Sequence, residues 1–81
     1  VGSRSSSQSY FASIDWANDQ LKFCIAELRK SVSKSGFVWK NTLQMVLVLK
    51  DRLVEYGWVW QADIVSFWIH RYERRRKELA L

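Results

Sequence analysis

Residues 14–35 read IDWANDQLKFCIAELRKSVSKS, and Gly36 follows. Wound at about 100° per residue, Ile14, Ala17, Leu21, Cys24, Ile25, Leu28 and Val32 fall in one stripe, the pattern of a helix with a single buried face. Ser13 stands where an N-cap oxygen is needed, and Asp15 and Asp19 lie near the positive helix end. Gly36 is the residue type that commonly ends a helix in the left-handed conformation. A stripe this clean requires partners of the same kind to cover it.

Toward the C-terminus, two further helices are predicted. Asn41-Thr42-Leu43-Gln44 is a relaxed capping box, and from Thr42 to Tyr56 only Gln44, Asp51 and Glu55 form a polar face, so this helix is expected at the centre. Lys50 falls inside its apolar arc, to snorkel toward water or to meet a carboxylate such as Asp63 or Glu73. Gly57 separates it from a third helix carrying Val65, Trp68, Ile69, Tyr72 and Leu79 on one side. At 1.5 Å per residue the third helix would be about 30 Å long against about 22 Å for the second, so its basic end is expected to overhang. Toward the N-terminus, residues 1–9 are polar and serine-rich, a flexible lead or tag remnant, with the folded unit spanning 10–81.

The reading is therefore all-α: a small three-helix, up-down-up bundle behind a flexible N-terminal lead, with helices at about 14–35, 42–56 and 61–80. Composition agrees. The 81 residues are 48% hydrophobic with no proline, too apolar for a disordered tail, and three glycines are too few for a fold of many short strands. One cysteine and one histidine exclude an intrachain disulfide and the usual zinc ligand sets. The longest apolar run, Met45 to Leu49, is far below the roughly 20 residues that cross a bilayer. A core this small supplies only about 3–5 kcal/mol, so stability has to come from aromatic burial or from a partner.

Catalytic constellations are nearly absent, and no enzyme, cofactor or metal is expected. Cys24 sits in the core stripe without an activating base, and His70 projects from a polar helix face. No phosphate-binding glycine loop occurs. Asp15 and Asp19 are one turn apart at a helix start, where carboxylates complement the dipole.

The charge is local. Of the net +5, the nine residues His70 to Glu78 supply +3, from five cations and two carboxylates. Arg71, Arg74 and Arg75 share one sector of the third helix with Phe67, while Arg76 and Lys77 point elsewhere. Such a stripe would suit phosphates and a stacked base. It would equally suit a solvated helix end laced by Glu73–Lys77 and Arg74–Glu78 pairs. A helix-turn-helix is disfavoured, because the start of the third helix, Gln61-Ala62-Asp63-Ile64, carries no cation.

Two patterns concern rings. Gly36-Phe37-Val38-Trp39 and Gly57-Trp58-Val59-Trp60 repeat one motif, read either as helix-stop chemistry or as an aromatic ridge for a partner. Trp16 and Phe23, seven residues apart, lie opposite the core stripe among Asp19, Gln20, Glu27 and Lys30. Either the chain covers them, through Tyr10 and Phe11 or through Phe37 and Trp39, or a partner does.

The functional expectation is a non-enzymatic protein-interaction module of a larger protein. It would bind a partner helix, a peptide or itself, with Trp16, Phe23, Trp39, Trp58 and Trp60 as anchors. The alternative is nucleic-acid binding through Phe67, Arg71, Arg74, Arg75, Arg76 and Lys77. No membrane partner is expected. A lone cysteine suits a reducing, intracellular compartment, and the arginine run would suit a nuclear one.

Overall fold

A computed structural model describes residues 13–80. They form three helices, α1 (Ile14–Ser31), α2 (Gly36–Glu55) and α3 (Val59–Glu78), and each packs against both others. Among the described residues there is no strand. The serine-rich lead, Tyr10 and Phe11 lie outside the described residues, and with them the proposed cover for Trp16 and Phe23.

The bundle is up-down-up. Ser31 of α1 meets Thr42 of α2 at one end, and Trp16 meets Tyr56 at the other, so these two helices are antiparallel. Between α1 and α3, Gln61 Nε2 donates to Asn18 Oδ1 at 3.4 Å across 43 residues, and Arg76 Nη1 donates to Val32 O at 3.0 Å across 44. A near-constant offset at both ends means that α1 and α3 run parallel, side by side.

The boundaries differ from the expected ones. α1 ends at Ser31, not near residue 35, and α2 begins six residues before Thr42. Its N-cap is Ser35, whose Oγ accepts from Val38 N at 3.4 Å, so Gly36 opens a helix and does not close one, and Asn41 is an interior residue. Of the two glycine-aromatic echoes only the second is a stop. Gly57 adopts φ +88°, a left-handed conformation that side chains with a Cβ resist, just after α2 ends. Ser13 caps α1 as expected, with Oγ accepting from Trp16 N at 3.1 Å. α3 starts two residues early, at Val59. Since α2 and α3 are each 20 residues long, the expected overhang does not arise from length.

Ala17, Cys24 and Leu28 of α1, Trp39, Val46 and Leu53 of α2, and Ala62, Val65 and Ile69 of α3 form the core. Their spacings are three, four or seven residues, the rhythm that keeps one seam facing a slightly crossed partner helix. Two alanines and a cysteine make the interior narrow. Bulky rings therefore stay at the seams: Trp16, Trp58, Trp68 and Tyr72 pack against the core only partly buried. Of the expected α1 stripe, Ala17, Cys24 and Leu28 are buried and Leu21, Ile25 and Val32 half-buried, and only Ile14 is exposed. Lys50 is half-buried and has no ion pair with Asp63 or Glu73.

One end of the core is polar. Ser31 Oγ and Thr42 Oγ1 share a buried hydrogen bond at 2.7 Å. Beside them Arg76, 9% exposed, donates through Nη1 to Val32 O and to Lys34 O at 2.9 Å, and its guanidinium lies 5.2 Å from the centre of the Trp39 ring. Val32 caps the end of α1, where acceptors are unpaired and the dipole is negative, and Lys34 lies in the turn just beyond it, so a buried cation is stabilised there.

Candidate interaction site

The α1–α3 seam opens into a groove of about 790 Å³. α3 supplies Phe67, Trp68, Arg71, Tyr72, Arg74 and Arg75, and α1 supplies Arg29 and Val32. The offset of 43 explains their meeting, for it sets Arg29 level with Tyr72 and Val32 level with Arg75.

The groove alternates rings and cations. Trp68 and Tyr72, one turn apart, have centroids 5.7 Å apart at 30°, while Phe67 meets Trp68 edge-on at 5.6 Å. Arg71 lies over the Trp68 ring at 5.5 Å, a cation–π contact that holds the guanidinium at the groove wall. The one carboxylate lining the groove is Glu78, 3.8 Å from Arg75, with both side chains exposed. This i,i+3 pair takes the place of the expected Glu73–Lys77 and Arg74–Glu78 pairs. Glu73 lies on the other side of α3, lining a small cleft with Trp39, Arg76 and Lys77. Four arginines thus face one carboxylate.

The predicted phosphate-contacting set divides accordingly. Phe67, Arg71, Arg74 and Arg75 come together in the groove, with Phe67 58% exposed. Lys77 is on the α2 side. Arg76 stands apart from the groove: it is 9% exposed, its Nη1 donates to two carbonyls and its guanidinium lies over the Trp39 ring, which ties it to the bundle.

The predicted anchors divide as well. Trp39 is 7% exposed and belongs to the core, so it cannot anchor a partner. Trp58 packs against the core with Nε1 enclosed and without a hydrogen-bond partner. Trp16 is half-buried, with Tyr56 edge-on at 5.4 Å; the end of α2 covers it, and not Phe37 or Trp39. Phe23 remains 44% exposed and Trp60 67% exposed. Trp60 is seven residues before Phe67 on α3, two turns along nearly the same line, so both rings belong to the α1–α3 side.

Sequence reasoning missed Arg29, and although Trp68 and Tyr72 do pack against the core as expected, it did not show that they also line a groove. Neither is visible from one helix alone, because the groove exists only through the pairing of α1 with α3.

The remaining chemistry is inert. Cys24 is fully enclosed, and burial pushes its thiol from the ordinary 9.0 up to about 11, which disfavours the nucleophilic thiolate. Among the described residues, no three His, Cys, Asp or Glu side chains are grouped to hold a metal ion. No helix of the described residues is long and apolar enough to cross a membrane. Comparison of the chain with protein-family models, with curated proteins and with solved structures gives no match.

Proposed function

We propose that this protein is a non-enzymatic protein-interaction module of intracellular origin, and that its working surface is the α1–α3 face. The observation that carries the reading is the pair Trp60 and Phe67, 67% and 58% exposed, placed two turns apart beside a ring-and-arginine groove. Tryptophan, tyrosine and arginine are the residue types that most often dominate interface energetics. Each large ring left wet represents roughly 1.5–3 kcal/mol that a partner would recover. Phe23, on the α1–α2 side, is a secondary anchor, and Trp16, Trp39 and Trp58 serve the bundle itself.

A direct test is selection from a displayed library of random peptides on the immobilised chain, run beside a Trp60→Ser, Phe67→Ser variant. Both positions are exposed, so the variant should keep its helical circular dichroism. Peptides enriched on the parent and not on the variant support the reading. Equal enrichment, or none, removes it unless light scattering shows a dimer that the same two substitutions dissociate, which would make a second copy the partner.

Nucleic-acid binding is the second reading, favoured by Arg29, Arg71, Arg74 and Arg75 standing among Phe67, Trp68 and Tyr72. If about four cations neutralise phosphates, log affinity should fall against log salt with a slope near −3 to −4. Titration of single- and double-stranded oligonucleotides decides it, and absence of binding at low salt removes it.

A further inference from the structure

We propose that the partner of the α1–α3 face is an acidic amphipathic helix, apolar at one end and rich in carboxylates at the other. The proposal rests on the interaction-module reading and specifies the chemistry of its ligand.

The face is divided along its length. Its first half carries Trp60, Ile64 and Phe67 from α3, the offset of 43 places Leu21 of α1 beside Ile64, and exposed Lys22, two turns before Arg29, is the cation of that half, against four arginines in the other. Its second half carries Arg71, Arg74 and Arg75 from α3, and Arg29 from α1 stands level with Tyr72. From Trp60 to Arg75 the face runs about 22 Å, the length of a four-turn helix of roughly 15 residues. A helix in a groove presents anchors at every third or fourth residue, so its apolar turns would cover the rings while its acidic turns lie over the arginines.

Internal carboxylates leave that positive end largely unanswered. Glu78 pairs with Arg75, Glu73 lies on the α2 side, and Arg71 has only the Trp68 ring. Charge complementarity therefore selects an acidic occupant.

The same division disfavours a nucleic-acid duplex. Duplex DNA carries a charge on about every 1.7 Å of axis and would lay phosphates along all 22 Å. Half of this face offers rings, and exposed Asp63, one turn from Trp60 and from Phe67, borders that half with a negative charge. A polypeptide can confine its carboxylates to one end, whereas a phosphate backbone cannot.

The experiment is the displayed selection with peptides of about 16 residues, long enough for four turns. The enriched sequences are synthesised and their binding is measured by fluorescence anisotropy. Leu, Ile, Phe, Met or Trp should cluster at one end and Asp or Glu at the other. Arg71→Glu with Arg74→Glu should weaken a selected peptide at least about tenfold, and a Glu→Lys version of that peptide should recover binding to the charge-reversed protein. Raising salt to about 0.5 M should weaken the original pair. Enriched peptides that are neutral or basic, or that tolerate the charge reversal, overturn the acidic helix but leave the interaction face standing if Trp60→Ser, Phe67→Ser still blocks them. Failure to enrich anything over that variant overturns both. An oligothymidylate that binds more tightly than every selected peptide overturns both in favour of nucleic acid.

Discussion

Arg76 shows how far one residue departs from its type. Arginine is almost never buried without partners, and here the partners are carbonyls 42 and 44 residues earlier in the chain, with the Trp39 ring beneath. Nη1 donates to both carbonyls while the planar guanidinium lies over the Trp39 ring, a stacking that an ammonium does not make. Arg76→Leu should therefore cost about 2–3 kcal/mol, because two carbonyls lose a charged donor, and should lower the thermal midpoint by on the order of 10 °C. Arg76→Lys should recover only part of that loss. Arg74→Ala, at an exposed position, should stay within about 0.5 kcal/mol. Melting followed by circular dichroism compares the three, and equal midpoints for Arg76→Leu and Arg74→Ala would refute the account. In the sequence, the helical wheel separates Arg76 from Arg71, Arg74 and Arg75. No local periodicity could supply its partners, since they depend on how the end of α1 meets α3.

For helices, the legible parts were those written in local chemistry. Ser13 before α1, Gly57 after α2 and the number and order of helices all follow from caps, breakers and periodicity. The start of α2 did not, because two cap candidates, Ser35 and Asn41, compete there. Gly36-Phe37-Val38 is a poor helix former by propensity alone. Starting at Ser35 brings Trp39 onto the same line as Val46 and Leu53, each seven residues on, and that burial outweighs the weak propensity. The two glycines therefore respond oppositely to the same change. Gly57→Ala forces a Cβ into positive φ and should destabilise by about 1–2 kcal/mol, although no atom lies within 4 Å to clash. Gly36→Ala enters open space in the first turn of α2 and should stabilise by up to about 1 kcal/mol. Urea titrations of the two variants give the signs, and matching signs would contradict the helix boundary.

At the scale of the molecule, the narrow core governs what is left for function. Ala17, Cys24 and Ala62 contribute little volume to the core, Trp39 is the one ring within it, and Trp16, Trp58, Trp68 and Tyr72 pack at its margin. The five tryptophans are consequently not one core: Trp39 is enclosed, Trp16, Trp58 and Trp68 are half-buried, and Trp60 is largely in solvent. For Trp16 the sequence shows a ring off the core stripe, and the pairing of α1 with the end of α2 brings it against the core beside Tyr56. The groove was legible only in its α3 half, because Arg29 joins it through the parallel pairing. The enclosed thiol also links pH to the stability of the whole bundle. It ionises near 9.0 when unfolded and near 11 when folded, so its contribution is complete below pH 9 and is lost as pH climbs from 9 toward 11. Cys24→Ala should flatten that part of the pH profile relative to the parent, whatever its cavity costs in absolute stability, and identical slopes would refute the assignment.

Cys24 is also a clock. Its sulfur has no exposed surface and lies between three helices, so a thiol-modifying reagent reaches it only when the bundle opens. Where reclosing is fast relative to modification, the rate in native buffer reads the free energy of that opening directly. The chain thus carries its own label for asking, without denaturant and at one site, whether a ligand seated on the α1–α3 face holds the three helices shut: labelling should slow by the factor 1 + [L]/Kd.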